Sequence, residues 1–472
     1  MNKKSLIVLI IILGLVVRVY QFREGFNYAH DNDLASWIVK DIVIDHHPRL
    51  IGQLTSSPGI FIGSLFYYVL IPFYFLAAMD PIGSLAFSWL VGLVAIISLY
   101  YVFRQLFEFK TANIGSLIYA ASFSIVSSDR QVVPTTPVML WSIWFFYAIN
   151  KLFAKDKHSL ILLAVLFALV WHLNLALGLL FPLVIVGILK NKFAFKDFIF
   201  PAIIFSILSL PLISFELRHN FSQTRALFGT LESVGEQGSK LLHTVIYLAR
   251  NANDIYLFAR PPLPWFYVLP FTLLATLIIS TRQRSGLVIY PIWLLLYILF
   301  FTLHPINLSE YYLAGLNILF IAGGAIVLSK LPSPITILVL MIFLGRNLYS
   351  AATVIYPRNG YIEKKAIVTE IKKDAQQHGY PCVAVSYITD TGYDLGYRYF
   401  FYLAKLHVNS PQKGGPVYSI VFPQSRVDHL DRSFGAIGLI YPDYSRYNDA
   451  DVANSCSGPD PNLTGDMFGF TK

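Results

Sequence analysis

Apolar stretches long enough to cross a lipid bilayer recur from the first residues to about position 349, and they constrain this chain more than any other feature. A crossing helix needs about 17–25 mostly apolar residues. Runs near that length lie at 5–20, 60–79, 84–103, 113–126, 134–152, 159–189, 198–215, 265–279, 286–303, 311–329 and 334–349. Of the 472 residues, 56% are hydrophobic and only 13% are charged. A soluble globule of that composition would carry large apolar patches on its surface. Intrinsic disorder needs the opposite composition. The sequence therefore predicts a polytopic α-helical membrane protein.

Charge orients the path. The chain carries 36 Lys and Arg against 27 Asp and Glu, a net +9, and residues 358–472 are neutral, so the whole excess lies in the apolar part. The bases sit in short loops between runs, as cytoplasmic loops do. A nucleic-acid partner would need them gathered on a water-facing patch, so none is expected. Lys3 and Lys4 precede an uncleaved first helix, with the N-terminus in the cytoplasm and Arg18 and Tyr20 at an interfacial end. Run 159–189 is too long for one span and breaks at Trp171-His172-Leu173-Asn174, which predicts two short helices meeting at the outer face. Twelve segments would leave the C-terminus inside, but the basic loops at 104–110, 151–157, 190–196, Arg282 with Arg284, and Lys330 require an odd number. Run 60–79 holds Pro72 and ends at Asp80-Pro81, so it is expected to be re-entrant or only partly inserted. About eleven or twelve transmembrane segments result, with an external C-terminus.

Two domains are expected: a membrane domain over 1–356, with an external loop at 21–58 carrying an amphipathic helix, and a small extracytoplasmic α/β domain over 357–472. In the latter, 361–378 has a helical pattern, 393–406 an aromatic helical one, and 382–387, 417–422 and 436–441 are strand candidates. The tail 454–472 reads as irregular. Cys382 and Cys456 share this domain and either pair or stay apart, Cys382 as a buried thiol.

Candidate functional residues cluster at the outer ends of segments. Tyr28-Ala29-His30-Asp31-Asn32-Asp33-Leu34 opens the first external loop. Asp31 and Asp33 are either helix-capping groups before an amphipathic helix at 34–44 or a carboxylate pair for proton transfer or a divalent metal, Mg2+ or Mn2+. Ser57-Pro58-Gly59 leads to Tyr67-Tyr68. Arg130, in Ser128-Asp129-Arg130, is either an interfacial arginine or a phosphate ligand. His172 with Asn174, Glu216-Leu217-Arg218-His219, Arg260-Pro261-Pro262, and His304 with Glu310 complete the set. No phosphate loop or dinucleotide fingerprint is present. An enzyme on the outer face would then draw its activated donor from the lipid phase.

The order and spacing of Asp31-Asn32-Asp33, Ser57-Pro58-Gly59 with Phe66-Tyr67-Tyr68, Ser128-Asp129-Arg130 with Pro134, Trp171-His172-Leu173, and Pro211 through His219 resembles the GT-C membrane glycosyltransferases. The chain is most similar to their branch of protein O-mannosyltransferases and lipid A aminoarabinose transferases, over roughly residues 1–350. It departs in having Asn32 where the family often has Glu, and Ser57-Pro58-Gly59 where Pro-Pro-Leu is usual. The resemblance implies an enzyme of the bacterial-type cell membrane that moves a hexosyl or pentosyl group, with inversion, from a polyprenyl-phosphate sugar to a hydroxyl of a lipid, glycan or protein acceptor. It implies Asp31 as general base, with Asp33 the second carboxylate. Arg130, Arg218 and Arg260 would hold the donor phosphate. His172, His219, Glu216, Tyr67 and Tyr68 would bind substrate. Two other readings remain beside it: a flippase for a lipid-linked sugar, and a non-catalytic envelope-assembly protein.

Overall fold

The computed structural model describes residues 3–232, 240–257, 264–280, 286–304 and 308–471. The chain divides into two compact units, one of residues 1–20, 50–66 and 86–354, the other of residues 21–49, 67–85 and 355–472.

The first unit is a bundle of apolar helices. Among the described residues of the chain, three helical stretches are long and apolar enough to cross a membrane: Pro81–Leu106, Tyr311–Lys330 and Ser333–Thr353. The pair Lys196–Leu208 and Leu210–Arg218 passes the same test together but bends by 62° at Ser209. The sequence reads 198–215 as one run; Pro211, in the first turn of the second helix, has no N–H to continue the first. Shorter apolar helices complete the set, among them Ser5–Val19, Val138–Phe153 and Trp265–Ser280. The long run 159–189 breaks as expected, into helix His158–Leu173, a 3-10 turn capped by the Asn174 side chain, and helix Phe181–Asn191. The run 113–126 also breaks, at Ser122. There the Asn347 side chain accepts the Phe123 N–H at 2.8 Å. Irregular backbone at membrane depth persists only with such internal partners.

Arg18, expected at an interfacial helix end, is wholly buried within the bundle. Its Nη2 lies 2.6 Å from Asp129 Oδ2 and its Nε 3.0 Å away. Nη1 donates to the Gly14 and Ala120 carbonyls, and the Tyr119 hydroxyl donates to Asp129. Every partner of this pair is supplied by the bundle, as a buried charge requires.

The second unit is built on a five-stranded sheet. Two short strands, β1 (Ile51–Leu54) and β2 (Phe61–Gly63), form a separate antiparallel hairpin in the first unit. The sheet comprises β3 (Cys382–Thr389), β4 (His407–Asn409), β5 (Val417–Phe422), β6 (Arg432–Phe434) and β7 (Ile437–Ile440), in the order β4-β3-β5-β7-β6. β3 runs parallel to β4 and β5, while β7 is antiparallel to β5 and β6. Helices Tyr361–Gln377 and Arg398–Ala404 belong to the same unit. The three predicted strands are present; the three-residue β4 and β6 are too short to show alternation in sequence. The expected irregular tail, 454–472, contains the short helix Pro461–Thr464 and the last two residues of helix Asp449–Ser455. Cys382 and Cys456 form a disulfide, which resolves the alternatives left open by the sequence.

Two segments outside the C-terminal stretch join this unit. Helix His30–Val43 packs Trp37 against Tyr399 and Tyr402, with ring centroids 6.1 and 5.6 Å apart. The 67–85 segment brings Tyr74 to Ser36 at 2.8 Å, and Asp80 to the Tyr361 hydroxyl at 2.7 Å and the Lys365 ammonium. Helix Leu65–Leu76 has 12 residues. At about 1.5 Å per residue it spans about 18 Å, short of the roughly 30 Å hydrocarbon core.

Candidate active site

Helix His30–Val43 sets the geometry of the acidic motif. It begins at His30, four residues earlier than the sequence suggests, so Asp31 and Asp33 both fall in its first turn, where the helix dipole favours carboxylates. The N-cap is Ala29, and the Asn32 side chain accepts the Ala29 N–H at 3.1 Å. Neither aspartate is the cap.

Residues two apart on a helix do not face each other. Asp31 is exposed and Asp33 is buried. Asp33 Oδ1 accepts the Tyr28 hydroxyl at 3.2 Å and the Tyr399 N–H at 3.0 Å. Tyr28 in turn shares a hydrogen bond with Ser36, which shares another with Tyr74. Asp33 therefore ties the first loop to the sheet-bearing stretch. The two carboxylates do not form a joint oxygen set, so the Asp31/Asp33 pair does not fit a divalent metal. Among the described residues, no group of three or more His, Cys, Asp or Glu gathers elsewhere.

Burial pushes the Asp33 carboxyl up to about 6, against the pull of the Tyr399 N–H and the nearby Lys364 ammonium. Burial brings Lys364 down to about 8. For Asp33 the folded value lies above the unfolded one, about 3.9. Its contribution is thus full below about pH 4 and is lost as pH rises through 6. Asp33→Asn is expected to remove that part of the pH dependence while the protein stays folded. Asp33→Ala should cost about 1–3 kcal/mol by leaving the Tyr399 N–H unpaired. Thermal unfolding in detergent across pH 4–8 checks both; an alanine variant as stable as wild type would contradict the account.

In the first unit, the hairpin β1–β2 gathers residues from several segment ends. His172 Nδ1 accepts the Leu65 N–H at 3.3 Å, and its ring lies against Gly63, where an added Cβ would sit 2.1 Å from Nδ1. Only glycine lets the strand approach this closely. Gln223 accepts the Phe61 N–H at 2.8 Å, and Phe61 packs on Phe215 at 6.3 Å. At the tip, Ser56 bonds the Tyr312 hydroxyl at 3.0 Å. Asn174 donates to the Tyr311 carbonyl at 3.1 Å. Tyr312, His172, Phe215 and Gln223 thus contact this hairpin or the residues that flank it.

The individual groups divide by environment. Glu216 is buried and accepts the Gln223 and Thr224 N–H groups and the Thr224 hydroxyl, so it caps helix Ser222–Glu232. His219 stacks on Phe215 at 4.0 Å, with Nδ1 2.8 Å from the Phe215 carbonyl. Arg218 is exposed. Arg130 directs its guanidinium at the Val17, Arg18 and Tyr20 carbonyls and caps helix Lys3–Val19. Tyr67 is buried. The Tyr68 hydroxyl takes the Arg49 N–H at 2.8 Å and donates to its carbonyl at 3.1 Å. His304 is buried. Arg260, Arg282 and Arg284 lie outside the described residues.

Sequence reasoning missed Gln223, Lys364 and Arg49. Arg49 is buried, bonds Asp41 at 2.6 Å, and reaches Phe470 and Thr471 in the tail. None of the three stands in a motif; their partners are distant in sequence.

No protein-family model matches the sequence. No curated protein sequence matches it either. Among solved structures, ArnT from Cupriavidus metallidurans bound to undecaprenyl phosphate matches with a TM-score of 0.56 at 11% identity, over 97% of this chain and 100% of that one. The same protein in its apo state gives 0.53 at 11% identity, over 97% and 99%. The chain has the GT-C membrane fold. Likeness at this identity speaks for architecture: apolar helices followed by a small sheet-bearing region, as the sequence resemblance implied.

Proposed function

We propose that this chain is a membrane glycosyltransferase that moves a sugar from a polyprenyl-phosphate donor to an acceptor hydroxyl on the extracytoplasmic face. The observation that carries the reading is an exposed carboxylate, Asp31, in the first loop of a GT-C fold, in the same unit as a disulfide. Disulfides persist in oxidising compartments, which favours the outer side for that unit. The likeness to a structure that holds undecaprenyl phosphate supports a lipid-phosphate donor.

Asp31 acts as general base. The acceptor oxygen bonds to the anomeric carbon from the face opposite the phosphate, its proton passes to Asp31, and the carbon–oxygen bond to phosphate breaks. The polyprenyl phosphate leaves with the electron pair, and the anomeric configuration inverts. Asp33 serves structure instead, since its carboxylate is buried and hydrogen-bonded. For the leaving phosphate, which needs a preorganised cation, exposed Arg218 is favoured over Arg130, whose guanidinium serves the backbone. His172 packs against Gly63 of the hairpin whose loop carries Ser57-Pro58-Gly59.

A flippase would move the intact lipid-linked sugar without releasing lipid phosphate. Purified protein in vesicles with an undecaprenyl-phosphate-linked sugar distinguishes the two. Release of undecaprenyl phosphate dependent on added envelope extract supports transfer; translocation with no release overturns it. Gly63→Ala is expected to push His172 off the hairpin and lower the melting temperature of the protein in detergent, because an added Cβ would sit 2.1 Å from the ring nitrogen. An unchanged melting temperature would contradict that close contact.

A further inference from the structure

The tail of the chain crosses the helix that carries Asp31. Arg398, stacked on Trp37 at 5.2 Å, donates to the Asn462, Gly465 and Asp466 carbonyls. Arg49 lies over the Phe470 ring at 4.1 Å and bonds Thr471 through both its carbonyl and its hydroxyl. Between these anchors Gly469 passes against Leu34, with a φ of +77° that a side chain would strain. Residues 466–471 are thus tied along helix His30–Val43 by two guanidinium groups, Arg398 at Trp37 and Arg49 at Asp41.

The fixed path holds one large apolar side chain outward. Phe468 is 73% exposed, and its ring packs on His30 at 5.7 Å, beside Asp31 in sequence. Isolated exposed apolar residues are common and need no explanation. This one is carried on a segment whose neighbours are tied down on both sides, and it packs on the residue that precedes the exposed Asp31. An aromatic ring one helix position from an exposed carboxylate suits a sugar, whose C–H face can lie on the ring while a hydroxyl reaches toward the oxygen.

We propose that Phe468 is the acceptor-binding wall of the Asp31 site, and that the acceptor is a carbohydrate hydroxyl, of a glycan or glycolipid, rather than a serine or threonine of a protein. The inference rests on the reading of Asp31 as general base. The ring places the acceptor, and the chemistry stays that given above: the acceptor proton goes to Asp31 and lipid phosphate leaves.

The test uses the full chain in vesicles with an undecaprenyl-phosphate-linked sugar, titrated with glycolipid extract from envelopes or with a serine/threonine-rich peptide. Phe468→Ala is expected to raise the glycolipid concentration for half-maximal transfer about tenfold, the upper range of an aromatic contact. Donor dependence and the rate at saturation should hold within about twofold. Phe468→Trp is expected to restore the acceptor dependence, and its fluorescence to change with glycolipid extract but not with peptide. An unchanged acceptor dependence in Phe468→Ala, or transfer to peptide alone, would overturn the proposal. Asp31→Asn run alongside separates the two levels. If it retains full transfer, the base reading fails and this inference with it. If it is inactive while Phe468→Ala matches wild type, only the role of Phe468 falls.

Discussion

Asp31→Asn is expected to lower sugar transfer about 10²–10⁴-fold, the range that a positioned general base contributes, while the protein inserts and folds as wild type does. The structure gives a reason to expect the fold to survive. Asp31 is exposed in the first turn of its helix, whereas the anchoring bonds to Tyr28 and Tyr399 belong to Asp33. Asparagine keeps the size and polarity of the side chain but cannot take a proton. Binding of the lipid donor should therefore remain, with the loss confined to the chemical step. The two aspartates form a useful contrast: Asp31→Asn should lose activity and keep stability, while Asp33→Ala should lose stability first. Intact disulfide formation and an unchanged elution profile in detergent would certify the Asp31 variant. A variant that folds and transfers at the wild-type rate removes Asp31 from the mechanism.

The second large effect is structural. Arg18→Ala is expected to cost about 3–5 kcal/mol, because it leaves the Asp129 carboxylate buried without its cation. It would also strip hydrogen bonds from the Gly14 and Ala120 carbonyls. Asp129→Ala should be comparably damaging, since a wholly buried guanidinium would lose the carboxylate 2.6 Å away. The pair Arg18→Met with Asp129→Leu should recover much of the loss, because an apolar replacement for a buried ion pair is often neutral or better. Detergent melting curves and expression yield report all three. If the double variant is as damaged as the sum of the singles, the two residues do not act as a pair.

What the sequence reveals here follows from which forces are local. Membrane segments are legible because bilayer thickness sets a run length that any window of the chain displays. The break at His172-Leu173-Asn174 is legible for the same reason, since lysines flank a run too long for one crossing. The bend at Ser209 is not, although Pro211 is in plain view, because the apolar run continues through it. The burial of Arg18 is not legible, because its partner lies 111 residues away. Asp31 and Asp33 read as a pair because the apolar pattern that marks the helix begins only at Leu34, four residues after the helix itself. Once the turn is helical, one carboxylate goes out and the other goes in. Gln223 reaches the Phe61 N–H and Arg49 reaches Phe470 and Thr471, partners far along the chain that nothing near them in the sequence signals. The disulfide lay between two equal alternatives, since spacing alone does not reveal that β3 and the helix Asp449–Ser455 come together.

In the proposed reaction an exposed aspartate in the first loop drives transfer from a lipid phosphate. It is tested most directly by counting products from purified wild-type and Asp31→Asn proteins in vesicles that hold an undecaprenyl-phosphate-linked sugar and envelope glycolipid. Wild type should release one undecaprenyl phosphate for each sugar that appears, inverted, on the acceptor, and Asp31→Asn almost none. Equal release by the two proteins, or sugar moved across the membrane with its phosphate bond intact, would contradict the claim.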